Sequence, residues 1–160
     1  MEPPLTFTRL YPNAVAPQHA YGESAAWDLS AFTLTPEGRT RTLTLPPRST
    51  ILVSTGLALR APSGSVVLIC SRSGTASRSI FVTNAPGVVD PDYGGEIKVH
   101  LFNGSMEPYY VQHGDRIAQA LILPLTVCAL TESSQLELSL STAERPEAVH
   151  SGQGLHALRG

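Results

Sequence analysis

Thirteen prolines and thirteen glycines are scattered through the 160 residues of this chain, which makes long helices hard to place. Proline removes a helical hydrogen bond and clashes with the preceding turn, and glycine loses more backbone entropy than any other residue when it is ordered. Between these residues lie short apolar or β-branched runs, the pattern of an all-β domain rather than of alternating strands and helices. The spacing predicts strands over 6–9, 26–31, 41–45, 49–54, 66–69, 80–83, 96–102, 109–111 and 116–123, with 126–130 to follow. A distorted jelly-roll β-barrel accommodates that many short strands. One stretch departs from strand character: SRSGTASRS, from Ser71 to Ser79, is small and polar and predicts one short helix with Ser71 near its N-cap. Residues 1–130 are read as the barrel. From Thr131 the sequence changes in kind: after the alternating LELSLS of Leu136 to Ser141 it turns polar and glycine-bearing. Residues 131–160 are therefore read as a C-terminal arm, mobile or packing on a neighbouring subunit rather than on its own core.

A chain of this length supports one hydrophobic core. Its net charge of −2 and charged fraction of 15% supply no basic field for a nucleic-acid backbone, although a free nucleotide needs only a few local donors. Lys98 is the only lysine, and the arginine-rich balance fits a GC-rich genome as readily as a preference for planar phosphate-binding forks. Cys70 and Cys128 are far apart, each in an apolar run, and are expected to be reduced core thiols. No stretch has the ~18 to 20 apolar residues of a membrane span, and residues 1–8 lack a basic, then apolar, leader pattern. A soluble intracellular protein is the expectation.

Three segments carry chemistry. NAPGVVDPDYGGEIKV, from Asn84 to Val99, reads as a β-hairpin with Asp90 and Asp92 beside its turn. Asp, Pro and Gly in that order make a turn by themselves. The functional reading is that one carboxylate orients and deprotonates water while the Tyr93 ring offers a flat platform for a sugar. Arg72, Ser73 and Gly74 open the predicted helix, where unpaired N–H groups beside a guanidinium and a hydroxyl form a phosphate cradle or a solvated turn. HGDRIAQALILP, from His113 to Pro124, feeds a Gly-Asp turn into a strand. There, Asp115 and Arg116 bracket a hairpin and Gln119 lies on its wet face. The chain has no GxxxxGK[ST] loop, GxSxG elbow or HExxH pair, and its cysteines are too far apart for a zinc deaminase. His19, His100, His113, His150 and His156 show no ligand spacing.

Taken in order, these pieces resemble the trimeric dUTPase family over residues 5–125. SAAWDLSA, from Ser24 to Ala31, is similar to the family's Ala-Gly-Tyr/Phe-Asp-Leu, with Ala26 where glycine is usual. STGLALRAPSGSVVLICSRSG, from Ser54 to Gly74, resembles the strand, loop, strand and Arg-Ser-Gly phosphate site. GVVDPDYGGE, from Gly87 to Glu96, resembles the uracil and sugar hairpin, and Asn103 and GDRIAQ, from Gly114 to Gln119, follow.

The resemblance implies a homotrimer of jelly-roll barrels with three sites at subunit boundaries, hydrolysing dUTP to dUMP and pyrophosphate. It implies that Asp90 activates the water attacking the α-phosphorus and that Tyr93 lies under the deoxyribose, excluding a 2′-hydroxyl. Backbone groups from Asn84 through Gly87 to Val89 would pair with uracil. Arg72, Ser73, Gly74 and Gln119 would hold phosphates, with Mg²⁺ carried mainly by triphosphate oxygens and Asp28 reaching it through water. The family's last motif, Arg-Gly-x-x-Gly-Phe-Gly-Ser-Thr-Gly, closes an arm over the nucleotide. This chain instead ends SGQGLHALRG, with His156 where the stacking Phe falls and no arginine in register. Two rival functions follow. One is the related dCTP deaminase branch, whose catalytic Glu position is His100 here. The other is a non-catalytic interaction protein that keeps the barrel and uses the altered tail as a binding arm.

Overall fold

The computed structural model describes residues 4–132. In chain order the elements are β1 (Thr6–Arg9), β2 (Gln18–His19), β3 (Ala26–Ser30), β4 (Leu43–Leu45), β5 (Thr50–Ser54), β6 (Leu57–Arg60), β7 (Ser65–Cys70), α1 (Ser73–Ala76), β8 (Ile80–Val82), β9 (Gly87–Val89), β10 (Lys98–Asn103), β11 (Tyr109–Val111) and β12 (Arg116–Pro124). Every ladder is antiparallel. The largest sheet runs β2-β3-β12-β7-β9, a second runs β5-β10-β8, and β1-β6 and β11-β4 pair separately. This is the expected all-β, jelly-roll-like architecture with one short helix.

Period-two alternation builds the core. In β10, Val99, Leu101 and Asn103 point inward and are fully buried, while Lys98 and His100 face water. Leu29, Leu45, Val53, Leu57, Val67, Ile80, Val111 and Ile117 complete the same cluster. Each such side chain contributes about 1.5–3 kcal/mol when fully buried. Asn103 is the polar exception, and its amide is satisfied on both sides. Nδ2 donates to the carbonyls of Leu45 (3.1 Å) and Glu107 (2.7 Å), and Oδ1 accepts from the N–H (2.9 Å) and hydroxyl (2.7 Å) of Ser105. Its place in the motif series therefore has a structural cause: it joins the end of β10 to β4 and the following loop.

Several elements differ from expectation. The Asn84 to Val99 segment is not a hairpin, because β9 pairs with β7 and β10 pairs with β5 and β8. The intervening loop carries the chain between sheets, and its far end is captured elsewhere: Ile97 N–H donates to the Leu57 carbonyl at 2.8 Å. The spacing does not predict the short strands β2, β6 and β9: β2 pairs with the neighbouring β3, β6 with the distant β1 and β9 with β7, whereas 126–130 forms no strand. At α1 the N-cap is Arg72, with no side-chain cap, because the Ser71 hydroxyl accepts the Val82 N–H at 2.9 Å. Neither thiol belongs to the core: Cys70 is half-buried and Cys128 exposed, and both are free.

The described residues up to Val127 form one compact unit. The arm read over 131–160 lies outside the described residues beyond Glu132, as does His156. Among the described residues no helix is long and apolar enough to cross a membrane.

Candidate active site

Three neighbouring strands of the largest sheet set Asp28, Gln119 and Cys70 in one row, Asp28 opposite Gln119 and Gln119 opposite Cys70. A bulge in β12 decides which side chains share that face. Arg116 pairs with Ser30 and Ala118 with Leu29, so one extra residue is accommodated between them. Ile117 and Ala118 are consequently both buried, and Arg116 emerges on the same outward face as Gln119.

Asp28 is the anchor of this face. Arg72 engages it through Nε to Oδ1 and Nη2 to Oδ2 (2.9 Å), a bidentate fork, and Arg116 adds Nη1 to Oδ2 at 3.1 Å. Arg72 Nη1 also donates to the Arg116 carbonyl at 3.1 Å. The Asp28 side chain is 7% exposed and that of Arg72 15%, whereas that of Arg116 is 56% exposed. One carboxylate thus faces two guanidinia, leaving an excess positive charge at the cleft mouth. Gln119 Nε2 donates to the Ser71 carbonyl at 2.9 Å and Thr75 Oγ1 to the Arg72 carbonyl at 3.0 Å, which fixes the turn carrying Arg72 to Gly74. A cleft of 600 Å³ opens here, lined by Asp28, Arg72, Ser73, Gly74, Arg116 and Gln119, with Tyr21 at its rim. Such an array suits an anion with several oxygens.

A second, smaller cleft of 230 Å³ is lined by Ile69, Asn84, Gly87, Val89, Tyr93 and Glu96. Gly87 sits opposite Ile69 in the β7–β9 ladder, and a Cβ on it would lie 3.3 Å from the Asn84 carbonyl, so only a bare backbone fits comfortably. Tyr93 donates its hydroxyl to the Glu96 carbonyl at 3.1 Å while its ring lies over Gly95, where a Cβ would come within 2.6 Å of the phenolic oxygen. The Tyr93 N–H closes a turn on the Asp90 carbonyl at 3.0 Å, and the Asp90 side chain stands exposed beyond that cleft. This pocket is small, with room for a single ring rather than a whole nucleotide.

The two clefts lie on opposite faces of the sheet. Ile69 and Cys70 are consecutive in β7, and consecutive strand residues point to opposite sides. Ile69 lines the smaller cleft and Cys70 the larger. One chain therefore gathers Asp28, Arg72, Ser73, Gly74 and Gln119 in one place and Asn84, Gly87, Val89 and Tyr93 in another, with Asp90 bordering neither. Arg116 and Glu96 join these groups without having been singled out. Arg116 stood in the GDRIAQ motif, but an unbulged period-two reading turns it away from Gln119. Among the described residues no cluster of three or more His, Cys, Asp or Glu side chains is arranged to hold a metal ion. Any divalent ion here would draw most of its ligands from a bound phosphate chain and water.

The dUTPase family pattern matches residues 13–151. The chain belongs to the dUTPase family. It is 42% identical over 130 residues to the deoxyuridine 5′-triphosphate nucleotidohydrolase of Wolinella succinogenes, covering 81% of this chain and 82% of that one. It is 38% identical over 160 residues to the Mycobacterium leprae protein of the same name, covering 98% and 99%. Among solved structures it is similar in fold to the dUTPase from phage phi11 of S. aureus, with a TM-score of 0.73 at 21% identity, covering 85% of this chain and 99% of that one. A mutant of that phage dUTPase, with a TM-score of 0.72 and 22% identity over 84% of this chain and 99% of that one, is described as coordinating a structural Mg(II) ion. The matched pattern is that of dUTPase, and His100 stands where the deaminase branch has its catalytic Glu, so the deaminase alternative loses ground.

Proposed function

We propose that this chain is a dUTP diphosphatase that hydrolyses dUTP to dUMP and pyrophosphate, acting as a homotrimer. The observation that carries the reading is the pair of half-sites on opposite faces of one sheet: a cationic cleft for a phosphate chain and a narrow backbone-lined slot for a base. A nucleotide spans both only if the slot of one copy meets the cationic cleft of another. The outward face beside the cationic cleft supports such a contact, because Leu68 and Leu121 lie side by side there and Leu121 also lines that cleft.

In this reading Asn84 and the backbone from Gly87 to Val89 take the uracil edge. A cytosine entering that slot leaves polar groups unpaired, a stronger discriminator than an apolar wall. Tyr93 lies under the deoxyribose and fills the space a 2′-hydroxyl would need. Arg72, Ser73, Gly74 and Gln119 grip the phosphates of the nucleotide held by the neighbouring copy. Asp28 acts first by orienting the two guanidinia, and the water-mediated contact with Mg²⁺ comes second. Asp90, free on the loop rim, accepts the proton of the water attacking the α-phosphorus. Mg²⁺, carried on the triphosphate oxygens, would supply charge neutralisation for the leaving pyrophosphate. The protein's own contribution is chiefly positioning in an extended, in-line pose. His156 is assigned the stacking position over uracil that the family fills with Phe.

Pyrophosphate release from dUTP, dCTP, dTTP and UTP with Mg²⁺ tests the proposal. The expected result is turnover of dUTP alone, reduced about 10²–10⁴-fold in Asp90→Asn. A folded protein that leaves dUTP untouched would establish the interaction-protein alternative, and ammonia from dCTP the deaminase.

A further inference from the structure

The loop bearing Asp90 and Tyr93 has no ladder partner of its own, yet it is held at one point. Glu96, at its end, lines the slot and directs its carboxylate into the corner between β5 and β6. There Oε1 accepts the Ser54 hydroxyl and the Gly56 N–H (2.9 Å), while Oε2 lies 3.6 Å from Lys98 Nζ. The Glu96 side chain is only 14% exposed. The backbone repeats the clamp: Thr55, fully buried, donates its hydroxyl to the Ile97 carbonyl at 2.6 Å, and Ile97 N–H reaches Leu57. The corner itself is closely packed: Gly56 has φ +68° and a Cβ there would meet Ala14 at 2.9 Å. From this anchor the Glu96 carbonyl accepts the Tyr93 hydroxyl, and Gly95 supplies the floor for the Tyr93 ring. A chain of contacts thus runs from the β5–β6 corner through Glu96 to the tyrosine ring.

We infer that Glu96 is a positioning residue which, by clamping the 90–97 loop to the Ser54–Gly56 corner, fixes the Tyr93 ring and so sets the preference for deoxyribose over ribose. This rests on the dUTP diphosphatase reading and adds to it the element that holds the sugar platform. A ring free to swing would still cover a sugar, but it would no longer bar the 2′-hydroxyl.

The test compares Glu96→Ala, Glu96→Gln and Ser54→Ala with the unaltered chain, measuring kcat and KM for dUTP and UTP together with amide hydrogen exchange. In Glu96→Ala the ratio of kcat/KM for dUTP over UTP is expected to narrow about tenfold, mainly through a rise in kcat/KM for UTP. Amides in 90–97 are expected to exchange about tenfold faster while those in 116–124 stay unchanged. Glu96→Gln, which keeps an oxygen acceptor for Ser54 and Gly56, is expected to restore most of the ratio. Should Glu96→Ala fail to fold, Ser54→Ala, which removes one donor only, carries the same comparison. An active, folded Glu96→Ala enzyme with an unchanged dUTP/UTP ratio, or with equal losses on both nucleotides, would overturn the inference. Absence of dUTP turnover in the unaltered chain would instead remove the reading beneath it, a separate outcome visible before any variant is made.

Discussion

Asp28 shows how much a single side chain holds together. Its oxygens take three donors from two arginines, and removing it leaves the Arg72 guanidinium largely buried without its counter-charge. Asp28→Ala is expected to lose about 3 kcal/mol of stability, read by urea denaturation, and to raise KM for dUTP as Arg72 loses its orientation. Asn103 makes the opposite case, a polar residue of the motif series that faces neither cleft. Asn103→Leu strands the carbonyls of Leu45 and Glu107, and is expected to cost about 2 kcal/mol by thermal or chemical denaturation while leaving KM unchanged. Both residues were visible in the motif resemblance, but residue type alone does not separate the carboxylate that holds a cation from the amide that ties two strands. That difference lies in partners 44 and 58 positions away along the chain.

At the scale of elements, local signals marked where strands occur and missed how they join. The strand expected over 49–54 is β5, and Gly56 with φ +68° separates it from β6, so that the two pair with different partners. Gly56→Ala combines a left-handed backbone with a collision against Ala14 and Phe32. It is expected to destabilise by at least about 1 kcal/mol in denaturant titration. The β12 bulge is the other decision of this kind. Alternation placed Gln119 on the wet face, but only the extra residue brings Arg116 alongside it, and nothing in RIAQALILP announces a bulge. The Asn84 to Val99 segment fails for a related reason: its turn chemistry is real, but a turn guarantees no ladder when each flank finds a better partner.

For the whole molecule the decisive feature is that the two clefts open on opposite faces, so in the proposed reading a complete site draws on more than one copy. If each site borrows Arg72 from one chain and Asp90 from another, Asp90→Asn and Arg72→Ala should each be nearly inactive alone. Co-refolded in equal amounts they are expected to regain about a quarter of wild-type activity, since one site in four draws both intact residues. Pyrophosphate assays on the mixture, beside sedimentation velocity for the trimer, decide it. A mixture as inactive as its parents would place both residues in one chain's site.

By itself the amino-acid order determined the all-β character, most strand positions and the residue types gathered near each cleft, because alternation and turn chemistry act over a few bonds. Tertiary structure alone decided that β9 leaves β10 for β7, that a bulge re-aims Arg116, that Glu96 anchors its loop, and that the smaller cleft and the cationic cleft face apart. These depend on which distant surfaces bury each other best, a competition among the whole chain's contacts that no local window contains.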